Sequence, residues 1–153
     1  MIVRRATQAD LDRYVVLAKT FHTASPMHGV IEFDPEGYSA FYLSALENET
    51  MGVWLAETEG EIVGIVGAIA YPLYFNPSAV VVQELWWWLA PEFRGAGGKM
   101  FKQIELWAKE RNASALFMIA LEDDRAAKME KLYKRAGFTP MERTFIKKVT
   151  SWL

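Results

Sequence analysis

The stretch Leu89-Ala90-Pro91-Glu92-Phe93-Arg94-Gly95-Ala96-Gly97-Gly98-Lys99 decides how this chain is read. Upstream of it, Val80 to Leu89 is a long, mostly apolar run, the pattern of a central strand covered on both faces. Downstream, Phe101, Ile104, Trp107 and Ala108 recur at helical spacing and predict a helix over Lys99 to Arg111. The stretch is therefore a strand-to-helix turn. Its glycines free backbone N–H groups to point at an anion, and the helix N-terminus adds partial positive charge. Arg94 and Lys99 supply full charges, so the turn reads as a phosphate cradle. Two nucleotide-binding patterns fail here. Met100 stands where G-x-G-x-x-G needs its third glycine. Gly98-Lys99 lacks the following Ser or Thr of a Walker turn, and Phe93 occupies that turn's first glycine position.

Outward from the turn, the pattern alternates between strand and helix signals. Ile2 to Arg5 predicts a first strand, and Thr7 with Asp10 forms a capping-box variant that opens a helix running to about Thr20. Phe21 to Phe33 carries Pro26, Gly29 and both histidines and reads as a loop long enough for function. Asp34-Pro35 starts a second helix with Tyr38, Phe41, Tyr42 and Ala45 on its apolar face. Gly52 to Glu57 and Glu61 to Tyr71 are strands joined by Thr58-Glu59-Gly60; Gly64 and Gly67 in the second mark close approach by a neighbour. Pro72 and Pro77 bound a further loop. Beyond the central turn come a short buried strand over Ala115 to Leu121, a helix over Arg125 to Ala136 capped by Gly137, and a last strand over Met141 to Val149. The fold class is α+β: a mixed, mostly antiparallel sheet with helices on both faces, in one domain spanning 1–153.

Composition narrows the chemistry. A chain of 153 residues that is 52% hydrophobic is long and apolar enough to bury a core without staples. The absence of Cys removes disulfides, thiolate zinc sites and a thiol nucleophile, and fits a reducing, cytoplasmic setting. With two His, no metal site is expected. A net charge of −2 argues against nucleic acid or anionic membrane as partner. The most apolar run, Ile62 to Tyr71, is half the roughly 20 residues that span a bilayer.

Leu89-x-Pro91-Glu92-x-Arg94-Gly95-x-Gly97 resembles the acyl-CoA-binding signature of the GNAT superfamily of N-acetyltransferases. The N-terminal Arg4-Arg5-Ala6-Thr7-x-x-Asp10 and the closing Leu132-Tyr133-Lys134-Arg135-Ala136-Gly137-Phe138 extend the resemblance over essentially the whole chain. It departs at Lys99, which stands where the signature has a small residue. The resemblance implies acetyl-CoA as cosubstrate, with its pyrophosphate on Arg94, Gly95, Ala96, Gly97, Gly98 and Lys99 and its pantetheine arm along Trp87, Trp88 and Leu89. It also implies a β-bulge near Trp87 to Leu89, where an unpaired backbone N–H stabilises the thioester oxyanion.

Transfer to an amine needs a base, because an alkylammonium holds its proton to a pKa near ~10.4. Glu84 is the one acid inside the apolar strand, and burial raises such a carboxyl toward a useful range. Period two places it on one face with Trp86 and Trp88. Tyr133 is implied by the resemblance as proton donor to the leaving thiolate, with core packing beside Met129 and Leu132 the alternative. His22 and His28 are candidates for acceptor binding or for an auxiliary base, in a loop that the resemblance puts over the acceptor side. Phe21, Tyr74, Trp86 and Trp88 are candidate walls of an apolar acceptor cleft, with core packing the equal alternative for the two tryptophans, and Trp87 is assigned beneath a helix. Asp123-Asp124-Arg125 reads as a solvated helix start. The favoured activity is direct acetyl transfer from acetyl-CoA to a primary amine in a ternary complex. Two alternatives stay open: a non-catalytic acyl-CoA-binding sensor, and an interaction domain whose aromatic surplus, including Trp152, builds a homodimer interface.

Overall fold

In the computed structural model, which describes residues 1–149, one sheet runs in the spatial order of the chain: β1 (Ile2–Arg5), β2 (Met51–Thr58), β3 (Glu61–Leu73), β4 (Asn76–Leu89) and β5 (Ala115–Phe117). The first four pair antiparallel, and β4 pairs parallel with β5. The expected mixed, mostly antiparallel sheet is thus present. Helices α1 (Leu11–Ala24) and α2 (Pro35–Glu47) bury Tyr14, Leu17, Tyr42 and Ala45 with Leu55, Ile65, Trp86 and Trp88 on one face. On the other, α3 (Gly98–Glu110) buries Met100, Ile104 and Trp107 with Trp54, Val66, Ala68 and Val82. Helix α4 (Ala126–Arg135) follows β5.

Local chemistry fixes the element ends. Asp34 Oδ1 accepts from the N–H groups of Glu36 (3.1 Å) and Gly37 (3.0 Å), with Pro35 in the first turn of α2. Before α1, Asp10 accepts from Thr7 N–H (2.8 Å) and from both terminal nitrogens of Arg4 (2.9 and 2.8 Å). The Arg4 guanidinium, helped by Thr7, holds the Asp10 carboxyl down to about 2. A depressed carboxyl contributes stability that is full above its unfolded pKa near 4 and lost as pH falls through 2. Asp10→Asn is expected to cost about 2 kcal/mol at pH 7. The gap from wild type narrows in urea titrations as pH falls toward 2.

Where β3 and β4 cross, the ladder slips. Gly67 pairs with Trp86, but its neighbour Ala68 pairs with Glu84, leaving Leu85 as an extra residue. The bulge therefore sits two residues before the expected Trp87–Leu89 position. A β-carbon on Gly67 would come within 2.1 Å of the Trp86 ring, so the glycine lets a tryptophan lie flat over the backbone.

Several expected boundaries move. Helix α1 runs on to Ala24, so Phe21 and His22 belong to its last turns and the loop starts at Ser25. The expected loop between Pro72 and Pro77 is a tight hairpin, with Leu73 paired to Asn76. Pro72 lies beyond the last β2 pairing, at Ile69, so its missing N–H interrupts no β2–β3 ladder. Strand β5 ends at Phe117 rather than Leu121. The last strand expected over Met141 to Val149 is absent: these residues are irregular, and Phe145 is 87% exposed. Three residues of β5 are too short a template for an eight- or nine-residue partner. Trp152 lies outside the described residues.

Candidate functional site

Pairing of β4 with β5 covers Val81 to Gln83 and then stops, while β4 continues six residues to Leu89. The free edge of β4 beyond Gln83 is the core of the site. Ala90 N–H turns back toward β3, donating to the Val63 carbonyl at 2.9 Å. Backbone groups alternate sides along a strand, so those of Trp87 and Leu89 face the opposite, open edge. The Leu89 carbonyl indeed accepts there, from Arg94 Nε at 3.3 Å.

The turn that follows is a 3₁₀ segment, Pro91–Ala96, running into α3. Its N–H groups are partly used: Phe93 donates to Ala90, Gly97 to Arg94, and Met100 and Phe101 both to Gly97. Gly98 and Lys99 open α3, so their N–H groups have no acceptor within their own helix. A β-carbon on Gly95 or on Gly98 would meet nothing within 4 Å, so space stands open beside these N–H groups. Gly97 is different: a β-carbon there would press on the Trp87 ring at 3.2 Å. A helix N-terminus with its first-turn N–H groups and unfilled space together fit an anionic group of phosphate size.

The two side chains expected to add charge point elsewhere. Arg94 folds back along Leu89 and lies 5.0 Å from the centre of the Trp88 ring. Lys99 Nζ donates to the Met1 carbonyl (3.1 Å), and the lysine lines a surface cavity of about 450 Å³ with Val3, Gly98, Lys102 and Gln103. What Lys99 brings to the turn is its backbone N–H.

Glu84 and Tyr133 meet at a single residue. Glu84 is 4% exposed, and its Oε2 accepts from Ile119 N–H at 3.1 Å. The Tyr133 hydroxyl donates to the Ile119 carbonyl at 2.9 Å. Burial raises the Glu84 carboxyl to about 8, with the Ile119 bond pulling the other way. Burial, and then the charge of Glu84, push the Tyr133 phenol well above its ordinary range.

The bulge corrects the expected grouping of Glu84 with Trp86 and Trp88. Cross-strand partners share a face, and Glu84 is opposite Ala68, which packs with Val82 and Ile104 on the α3 side. Leu85 and Trp86 both turn to the α1–α2 side, where Trp86 (8% exposed) and Trp88 (5%) are core residues. Trp87 stacks on Phe101 of α3, as expected. Phe21 reaches Trp88, ring centres 6.0 Å apart. His22 contacts His28 and Phe33, each at 5.7 Å, with Nε2 2.7 Å from the Ile31 carbonyl. Tyr74 does not join them. It is 78% exposed at the β3–β4 hairpin tip, its ring tilted against Phe75, seven residues along the chain from the Gly67–Trp86 pair. At strand rise that is about 23 Å.

Arg125 is the residue that sequence reasoning missed. Its backbone N–H donates to Asp123 Oδ1 (2.8 Å), and its guanidinium pairs with Asp123 Oδ2 and lies 5.6 Å from the Trp88 ring centre. Two guanidinium groups therefore gather on Trp88 at the end of β4, which no local pattern in Asp123-Asp124-Arg125 announces. Among the described residues, no three acidic or histidine side chains gather to hold a metal ion, and no helix is long and apolar enough to cross a membrane.

A family model described as acetyltransferase (GNAT) family matches residues 16–138, the part that carries the free β4 edge, the glycine turn and Tyr133. The chain belongs to the acetyltransferase (GNAT) family. Solved structures agree on the fold of this GNAT chain. A predicted acetyltransferase from Clostridium acetobutylicum, solved with acetyl-CoA, superposes at TM-score 0.76 with 20% identity, covering 95% of this chain and 94% of its own. AAC(6')-Iy, in complex with the bisubstrate analog CoA-S-monomethyl-acetylneamine, gives 0.75 with 18% identity and 98% of both chains. A ribosomal-protein-alanine N-acetyltransferase from Brucella melitensis gives 0.72 with 16% identity, covering 97% of this chain and all of its own. No curated protein matches by sequence.

Proposed function

We propose that this GNAT chain, acting as one domain, moves an acetyl group from acetyl-CoA to a primary amine by direct attack in a ternary complex. The observation that carries the reading is the open β4 edge ending in a turn that leads into the N-terminus of α3 beside unfilled space. The N–H groups of Gly98 and Lys99 hold the donor's pyrophosphate, with Gly95, Ala96 and Gly97 shaping the turn. The open backbone of Trp87 and Leu89 pairs with the amide-bearing arm of the donor as an added strand would. An N–H on that same edge stabilises the thioester oxygen as negative charge develops there. Arg94, lying over Trp88, adds positive charge at the mouth of the site, while the charge of Arg125 on the same ring is paired with Asp123. Solved relatives with acetyl-CoA and with a CoA bisubstrate analog support this donor.

Glu84 serves as base. Its carboxyl is poised near neutrality by burial, so it takes a proton from the incoming ammonium more readily than an ordinary carboxylate does. Phe21, packed on Trp88, and His22, packed on Phe33 and on His28, border the acceptor side. A chain without Cys has no thiol to carry the acetyl group covalently, which favours direct attack.

Thiol release from acetyl-CoA in the presence of a panel of primary amines tests the reading, alongside calorimetry of donor binding. Micromolar donor binding with amine-dependent thiol release is the expected result. Donor binding without release for any amine would favour a sensor, and no binding at high micromolar concentration would overturn the donor assignment. Gly98→Val is expected to weaken donor binding at least about tenfold by filling the space at the N-terminus of α3.

A further inference from the structure

We propose that Tyr133 is a positioning residue: with Glu84 it clamps the peptide groups on both sides of Ile119, setting the gap between β4 and the chain leaving β5. The inference rests on the donor lying in that gap, as proposed above.

The parallel ladder ends at Gln83 and Phe117. One residue further along β4, a side chain takes over from the backbone: Glu84 Oε2 holds the N–H of Ile119, two residues past the end of β5. A side-chain bond in place of a backbone pair marks where the two strands part. From the other side Tyr133 holds the Ile119 carbonyl. The two bonds fix one residue from both of its polar groups, so the exit strand can neither collapse onto β4 nor swing away without breaking one of them.

Tyr133 is itself firmly placed. Helix α4 ends in a paired cap, with Phe138 N–H on the Tyr133 carbonyl (2.9 Å) and Gly137 N–H on the Lys134 carbonyl (3.1 Å), Gly137 taking a φ of 89°. The Tyr133 ring packs on Phe138 (5.7 Å), and Phe138 packs on Phe101 of α3 (6.0 Å). The phenol is thus referenced to α3, the helix that carries the phosphate turn. A phenol has a single proton, and this one is directed at Ile119. Giving it to a thiolate requires breaking the clamp and leaving the Ile119 carbonyl without that donor. The raised pKa of the phenol also makes it a poor acid while keeping it a reliable donor.

Tyr133→Phe removes the hydroxyl and keeps the ring. The clamp predicts that KM and Kd for acetyl-CoA rise about tenfold, as for loss of one net hydrogen bond at most, while kcat falls less than threefold. It also predicts that the Ile119 amide exchanges with deuterium about tenfold faster, with Leu55 and Ile65 in the core unchanged as controls. A proton donor predicts the opposite split: a kcat loss of about 10²-fold, KM unchanged, and Ile119 exchange at the wild-type rate. That split, or a variant identical to wild type in both arms, overturns the clamp. Failure of the acetyltransferase reading has a separate signature, absence of thiol release and donor binding in the wild type, and the Ile119 exchange rate then decides the clamp alone.

Discussion

Glu84→Gln is expected to lower kcat/KM for the amine by about 10²-fold or more while leaving acetyl-CoA affinity within about twofold. The substitution is nearly isosteric, and the amide oxygen of Gln still accepts from Ile119 N–H, so geometry is kept and the proton-accepting charge is lost. The pH dependence follows from the direction of the shift. Burial holds the carboxyl protonated up to about 8, and a base works when deprotonated. The wild-type rate therefore climbs about tenfold per pH unit below 8 and levels above it; the variant shows no such inflection. Stability moves the other way. Between the unfolded carboxyl's pKa near 4.5 and the folded value near 8, the folded state keeps a proton that the unfolded state has lost. Glu84 thus destabilises the wild type by up to about 1.4 kcal/mol per pH unit across that window, and the Gln variant escapes this loss. Initial rates and urea titrations from pH 5.5 to 9 check both. Full activity in the variant would remove Glu84 as base.

Trp86→Ala is expected to cost about 3–5 kcal/mol of folding stability. The indole is 8% exposed and fills the space over Gly67 that no other residue type at position 67 would leave free. Its Nε1–H donates to the Tyr14 hydroxyl at 2.8 Å, and that hydroxyl in turn lies 3.3 Å from the Val66 carbonyl and 3.4 Å from that of Trp54. Tyr38 and Phe41 of α2 pack edge-on against the same indole at 6.4 and 5.8 Å. Truncation opens a cavity between sheet and helices and takes a donor from a buried network where β3 is bulged. Urea unfolding at pH 7 measures the loss. A cost below about 1 kcal/mol would contradict the core assignment and return Trp86 to the cleft wall.

The glycine turn and its flanking strand and helix were legible because they depend on short-range chemistry: glycines, an apolar run and a 3.6-residue period. Glu84 was legible for a related reason, as a lone acid in an apolar strand. The faces were not. Period two carried Glu84 to the side of Trp86 and Trp88, and a single extra residue, Leu85, reversed it. Gly67 hinted at close approach, yet a slip in register depends on pairing between strands and leaves no mark within one of them. The side chains of Arg94 and Lys99 were misplaced because a long flexible side chain near a turn has several partners within reach, here Trp88 and the Met1 carbonyl. The strand expected over Met141 to Val149 had a plausible pattern, but a strand needs an edge, and β5 offers three residues. Arg125 became visible when folding brought α4 beside the end of β4.

A crystal structure with CoA bound tests the central claim most directly. The account predicts the pyrophosphate within hydrogen-bond distance of the Gly98 and Lys99 amides, the amide-bearing arm paired to the backbone of Trp87 and Leu89, and the thiol end in the gap between β4 and the chain leaving β5. CoA lying elsewhere, with the β4 edge still open and no phosphate at the Gly98 and Lys99 amides, would contradict it.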